Sequence, residues 1–298
     1  MFTFSLEGCS VPRLYHLVSQ SWCVAASVKG KVIWITGASS GLGEEMTYIL
    51  ADHKAKLVLS GTREDSLLKV RENCLKKGLA EEDVLVLPFN IADCSVHENC
   101  VQKVLEHFKK IDVLVNNAGR SQRAKFQDIE PEVDRELFDV NVFGPVNLTR
   151  KVLPHFLEKN EGHVVVTSSI TGKLAGESSH RTVVCCAGFP GSATYTGSKH
   201  ALHGYFETLR SELSHRNIKV TLVCPGPAFS KIVERAFTGE TGKVHGEKQK
   251  PTDLRLTTER CSQLMVVALV NQVDEAWMSL QPLLLLYYLS QYLPSFFR

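Results

Sequence analysis

The chain predicts a doubly wound α/β fold: a single domain on a parallel sheet of about seven strands, with helices on both faces. Three observations predict it. From residue 30 onward, short β-branched runs alternate with helical stretches long enough to cross back over a sheet. The runs are apolar throughout, so both faces of each strand have to be covered. A glycine-rich turn, TGASSGLG at 36–43, follows the first run directly.

The elements follow in order. KVIWIT (31–36) is the first strand, and the helix after it begins near Gly41. KLVLS (56–60) is the second, with a helix over about 65–77. DVLVLPF (83–89) is the third, with a helix over about 95–109. IDVLVNN (111–117) is the fourth; Pro131 and Glu132 open one helix after it, and Phe143 to Asn160 form most of another. GHVVVTSS (162–169) is the fifth, followed by a helix over about 194–215. KVTLVCP (219–225) is the sixth strand, and EAWMS (275–279) is the candidate seventh. No repeat or linker breaks the series. Residues 30–280 are therefore expected to form the domain, with 1–29 an N-terminal extension and 281–298 an apolar tail.

Composition narrows the function classes. Apolar residues make up 44% and charged residues 22%, which suits a folded chain. Net charge is +2 with both signs mixed along the sequence, so no stripe for nucleic acid forms. The nine cysteines are odd in number and include no C-x-x-C pair, which argues against a zinc site or a disulfide framework. No metal is expected. The first residues lack a charged region followed by a clean apolar run, so they do not read as a signal peptide or a spanning helix. The tail holds seven consecutive apolar residues, Leu283 to Leu289. Three placements are open to it: in the core, between copies of the chain, or along a membrane surface.

The chemistry begins at the glycine-rich turn. Gly37, Gly41 and Gly43 let the backbone approach a pyrophosphate, which then rests on the helix N-terminus with Ser39, Ser40 and Leu42 around it. A dinucleotide cofactor is thereby expected. NAD binding usually places an acid at the end of the second strand, on the ribose hydroxyls. Here Gly61 and Thr62 occupy that end and Arg63 follows, so a 2′-phosphate is met by a cation and no repulsion. NADP(H) is favoured over NAD(H). The run NNAG ends the fourth strand: Asn116 and Asn117 can bond neighbouring strands, while Ala118 and Gly119 leave room beside the adenosine.

Tyr195 and Lys199 are four apart on a helix and share one face. Such a pair is commonly a solvated face. A tyrosine near its ordinary pKa is a poor acid–base group at neutral pH, and an adjacent ammonium favours the phenolate. Ser169, at the end of the fifth strand, can orient a substrate oxygen, and Asn141 can hold a water that reconnects Lys199 to solvent.

Taken in chain order, TGASSGLG, NNAG, Asn141, Ser169, YTGSK (195–199) and PGPAFS (225–230) resemble the short-chain dehydrogenase/reductase family over about residues 30–280. The resemblance implies a Rossmann-type fold and hydride transfer between NAD(P)H and an alcohol or carbonyl. It implies that Tyr195 donates the proton in reduction and Lys199 lowers its pKa and holds the nicotinamide ribose. Ser169 then steadies the carbonyl, Asn141 supports the proton relay, and Pro225, Gly226 and Ser230 border the nicotinamide. Asn90, with Ile91 beside it, stands where the family has an adenine-contacting acid; its carbonyl still accepts from the adenine amine. Residues 198–213, 224–234 and 257–294 are similar to a branch of endoplasmic-reticulum-associated reductases of steroids, retinoids and other lipophilic carbonyls. That likeness implies a small lipophilic substrate, attachment to the endoplasmic-reticulum membrane (a cytoplasmic location is the alternative) and peripheral membrane contact through the tail. Homodimers are common in the family.

One departure bears on activity. Ser169 and Tyr195 are 26 positions apart, and family members hold them about half as far apart. Residues 176–188 therefore read as an insertion after the fifth strand. Closing a longer loop adds little entropy, roughly 0.6 kcal/mol per doubling, so the site can still assemble. The alternative is a catalytically impaired nucleotide-binding or scaffold protein whose site the insertion has spoiled.

Overall fold

A computed structural model describes residues 27–173, 191–250 and 252–292. Its centre is a seven-stranded sheet in the order β3-β2-β1-β4-β5-β6-β7, every neighbouring pair parallel. The strands are β1 (Val32–Thr36), β2 (Lys56–Ser60), β3 (Val84–Val86), β4 (Val113–Asn116), β5 (Gly162–Thr167), β6 (Ile218–Pro225) and β7 (Glu275–Met278). The helices are α1 (Gly41–Asp52), α2 (Glu64–Lys76), α3 (His97–Phe108), α4 (Pro131–Phe138), α5 (Gly144–Lys159), α6 (Ala193–Glu212), α7 (Thr258–Val270) and α8 (Leu283–Tyr292).

Strand alternation sorts the side chains into two cores. Ile33, Ile35, Leu57, Leu59 and Val115 meet Met46 and Leu50 of α1, Leu67 of α2 and Met265 and Leu269 of α7. Val32, Trp34, Val58, Leu114, Val164 and Val166 meet Val101 and Val104 of α3, Val152 and Phe156 of α5 and Leu202 and Phe206 of α6. Each layer excludes water from one face of the sheet, and this burial is the main favourable term holding it. Trp34 is fully buried yet satisfied, because its Nε1 donates to Ser60 Oγ at 2.9 Å. Strand order reverses between β1 and β4. In open α/β sheets that point leaves a crevice beyond the carboxyl ends of the strands.

Three local differences from the sequence reading have plain causes. The third strand, expected over 83–89, is assigned only over Val84–Val86. Pro88 has no N–H for the ladder, although Leu87 still donates to Leu59 on β2 and Phe89 to Gly61 just beyond it. Helix α7, capped by Thr257 accepting from the Arg260 N–H at 3.1 Å, was not foreseen; its face is buried against α1 and β6, not marked by a strong period. The tail residues 283–292 form α8. Leu283, Leu284 and Tyr287 are buried, while Leu285, Leu289 and Tyr292 are exposed. One face of the tail therefore joins the core beside β7, where Trp277 and Tyr288 stack with centroids 4.9 Å apart. Among the described residues no helix is long and apolar enough to cross a membrane. The expected insertion at 176–188 lies outside the described residues.

Candidate active site

A cleft of about 870 Å³ opens at the carboxyl ends of the strands. Its floor is a locked set of turns. Thr36 Oγ1 donates to Val115 O at 3.2 Å and accepts from the Asn117 and Ala118 N–H groups at 3.0 and 3.1 Å. Asn117 Nδ2 donates to Thr36 O at 3.1 Å, and Thr167 Oγ1 donates to Asn117 Oδ1 at 3.3 Å. Gly37 has φ +68°, and a Cβ there would lie 2.9 Å from Ala118 Cα. A Cβ on Gly43 would lie 2.4 Å from Gly37 O and 2.5 Å from Asn117 Nδ2. Side chains at these two positions would force the turn away from NNAG. Gly37, Ser39, Ser40, Gly41, Leu42, Arg63, Asn90, Ile91, Asn117, Ala118, Gly119, Pro225, Gly226 and Ser230 all line the cleft. Gly43 stands behind them, buried in α1. Asn90 Oδ1 already accepts from the Ala92 N–H at 3.2 Å. The bare glycine backbone, the hydroxyls of Ser39 and Ser40 and the Arg63 guanidinium suit a phosphate-bearing dinucleotide.

The other end of the cleft gathers Ser169, Tyr195 and Lys199. Ser169 follows β5, and its hydroxyl is close enough to the Tyr195 phenol to lower its pKa. Its Oγ also donates to Pro225 O at 3.3 Å. Tyr195 and Lys199 lie in the first two turns of α6, with Lys199 Nζ 5.7 Å from the Tyr195 ring centroid. Lys199 Nζ donates to Thr167 O at 2.8 Å. Asn141 does not line the cleft. It is buried in a wide helical turn, Asp139–Phe143, between α4 and α5. Pro145 has no N–H to give the Asn141 carbonyl, so the regular helical bond cannot form at this joint. The Asn141 amide accepts from the Arg120 N–H at 2.8 Å and donates to Arg120 O at 2.9 Å and Ser198 Oγ at 3.0 Å. It thus braces the chain just after NNAG and the helix that carries Tyr195.

Burial shifts the two titrating groups in opposite directions. It pushes the Tyr195 phenol up, while the Ser169 hydroxyl and the charge of Arg123 pull it down. It pulls the Lys199 ammonium down to about 8, opposed by Cys224. The sequence reading assigned the pull on the phenol to Lys199. Arg123 is a further cation acting on it, and Lys199 Nζ, which donates to Thr167 O, keeps its charge beside the ring. Arg123 is held by its Nη1 bonds to Ser121 Oγ and Gln122 O at 3.0 and 2.8 Å. Sequence reasoning also missed Arg235, which lines the cleft from the segment after β6. Neither arginine stands at a motif position. Tyr287 of α8 also lines the cleft, so the tail borders the site. Behind it, His203, Glu207 and Glu275 converge, and Lys173 Nζ sits 2.6 Å from Glu207 Oε1 and 2.8 Å from Glu275 Oε2. An ammonium therefore holds the place a cation would take.

Fold and cleft together define a nucleotide-dependent oxidoreductase architecture. The chain belongs to the short-chain dehydrogenase/reductase family: residues 31–241 match the family model for short chain dehydrogenases. It is 42% identical over 266 residues to dehydrogenase/reductase SDR family member 7 of Homo sapiens, covering 89% of this chain and 74% of that protein. Its fold matches a short-chain dehydrogenase/reductase from Burkholderia phymatum solved in complex with NAD, with TM-score 0.74, 23% identity, and coverage of 91% of this chain and 96% of that one. It also matches an alcohol dehydrogenase from Thermococcus sibiricus complexed with 5-hydroxy-NADP, with TM-score 0.67, 22% identity, and coverage of 85% and 96%.

Proposed function

We propose that the protein is an NADP(H)-dependent oxidoreductase that interconverts carbonyl and alcohol groups of small lipophilic substrates, steroids, retinoids and xenobiotic carbonyls among them. The observation that carries this reading is the meeting of Ser169, Tyr195 and Lys199 at one end of a cleft whose other end is a phosphate turn. Arg63 after β2, with Gly61 and Thr62 where an acid would repel a 2′-phosphate, supports NADP(H) over NAD(H).

When bound, the nicotinamide supplies the hydride in reduction and accepts it in oxidation. The chain's own residues handle the proton. Ser169 orients the substrate oxygen toward the Tyr195 hydroxyl, and Tyr195 gives that oxygen its proton in reduction. Lys199 holds the ribose and stabilises the charge left on the phenol. Asn141 keeps the surrounding backbone in register and supports the path by which the proton is replaced. The apolar face of α8 beside Tyr287 suits a greasy substrate. We place the protein at the endoplasmic-reticulum membrane as a homodimer, with the exposed residues of α8 toward the lipid surface; a cytoplasmic location is the alternative.

The test uses purified full-length protein with NADPH and a panel of steroid, retinal and quinone carbonyls, following loss of the NADPH absorbance. Tyr195→Phe is expected to lower turnover by at least about a hundredfold while NADPH binding persists. Unchanged turnover in that variant would reject the mechanism.

A further inference from the structure

The phosphate end of the cleft is faced by two guanidinium groups from distant parts of the chain. Arg63 Nη2 donates to Ser40 Oγ at 3.0 Å and lies 3.2 Å from Ser39 Oγ. Arg235 Nη1 lies 3.4 Å from the same Ser40 Oγ. The two like charges act on each other: Arg235 adds to the burial that lowers Arg63 below its ordinary pKa. Repulsion of this kind is relieved when an anion sits between the cations.

Arg235 is held there by its surroundings. Its carbonyl accepts from Arg120 Nη2 at 2.9 Å, and its N–H donates to Lys231 O at 3.0 Å. Ala236 beside it is fully buried. Phe237 N–H donates to Ser121 O at 2.9 Å, Phe237 O accepts from the Arg123 N–H at 2.8 Å, and the Arg120 guanidinium stacks 4.0 Å from the Phe237 ring centroid. The segment carrying Arg235 is thereby tied to the chain just after NNAG, the part that Asn141 braces.

Two guanidinium forks and two hydroxyls match the oxygens of a phosphate monoester. Their place selects which phosphate. Arg63 lies three residues beyond the end of β2, where a dinucleotide's adenosine ribose is held, and reaches from there to the edge of the glycine-rich turn at Ser39 and Ser40. We propose that Arg235 is the second cation of a 2′-phosphate site. It is a specificity-determining residue for NADPH over NADH, and it ties the segment after β6 to the cofactor. This rests on the NADP(H) reading above.

The experiment is calorimetric binding to the full-length chain, with NADPH, NADH, adenosine 2′,5′-bisphosphate and adenosine 5′-monophosphate as probes. Wild type should bind the bisphosphate more tightly than the monophosphate. Arg235→Gln should weaken NADPH and the bisphosphate by about tenfold or more, and leave NADH and the monophosphate within about twofold. Arg235→Lys, which keeps the charge, should recover part of the loss and serves as the folded control. Equal losses for NADPH and NADH, or no loss, overturn the proposal. The two readings separate cleanly. A wild type indifferent to the 2′-phosphate defeats the NADP(H) reading and this inference together. A wild type whose preference disappears in Arg63→Gln but survives in Arg235→Gln defeats this inference alone.

Discussion

Lys199 offers a direct measure of how strongly burial governs the cleft. It is 4% exposed, and burial lowers its pKa from 10.5 to about 8. Unfolding returns it to water and to the higher value. Between the two pKa values the unfolded chain binds the proton more tightly, so stability rises with pH across that window. The cost of burying the ammonium is present in full below about pH 8 and fades toward the unfolded value. The difference of 10.5 and about 8, taken at about 1.36 kcal/mol per unit, makes the full cost about 3 kcal/mol. Lys199→Met keeps most of the stem and removes the titration. Urea unfolding of both proteins should be compared from about pH 6.5 to about pH 9.5. Over that range the stability difference should move in favour of wild type by about 2 kcal/mol. Only the difference matters, because every other titration is common to both chains. A difference that stays flat across the range would refute the assignment of a depressed pKa to burial.

Two further outcomes are expected. Gly43→Ala puts a Cβ 2.4 Å from Gly37 O, so it should lower the thermal midpoint and weaken nucleotide binding by about tenfold or more; a variant that binds like wild type removes the close-packing account of the turn. Deleting residues 176–188 should leave carbonyl turnover within a few-fold of wild type, because Ser169 and Tyr195 already line one cleft with the segment present; a large gain on deletion would instead support a spoiled site.

The sequence was legible where chemistry is local. Most strands are short apolar runs rich in Val, Ile and Leu, so their covered faces can be read without knowing their neighbours. The glycine turn and NNAG each do their work within a few residues, and Thr36 and Asn117 join them across adjacent strands. Helix α7 was not legible, because its contacts with α1 and β6 are made at long range and its buried face carries Cys261, Ser262 and Ala268 among the larger residues. Arg123 and Arg235 were illegible for a related reason. Each is an ordinary surface-type residue in sequence, and only the bridge between Gln122 and Phe237 brings their segments together at the cleft. Helical spacing puts Lys199 beside Tyr195, but it does not reveal that the ammonium also donates to Thr167 O.

The opposed shifts of Tyr195 and Lys199 also bear on direction. Desolvation favours the neutral phenol and works against the ammonium, so burial alone opposes the phenolate–ammonium pair. A phenol that keeps its proton is the starting state for reduction, where the hydroxyl donates to a carbonyl oxygen. Oxidation has to begin from the phenolate, which becomes costlier by about 1.36 kcal/mol for each unit the pKa is raised. On the proposed chemistry burial therefore favours the protonation state from which carbonyl reduction starts. Once the proton leaves, the negative charge falls on the oxygen that the Ser169 hydroxyl and the Arg123 charge both favour as phenolate. Both are fixed before the reaction, Ser169 by the end of β5 and Arg123 by its bonds to Ser121 and Gln122. Groups held in place in this way stabilise charge as it develops without reorganising. Arg123, which stands at no motif position, thus adds to the charge that Lys199 supplies from the helix of Tyr195.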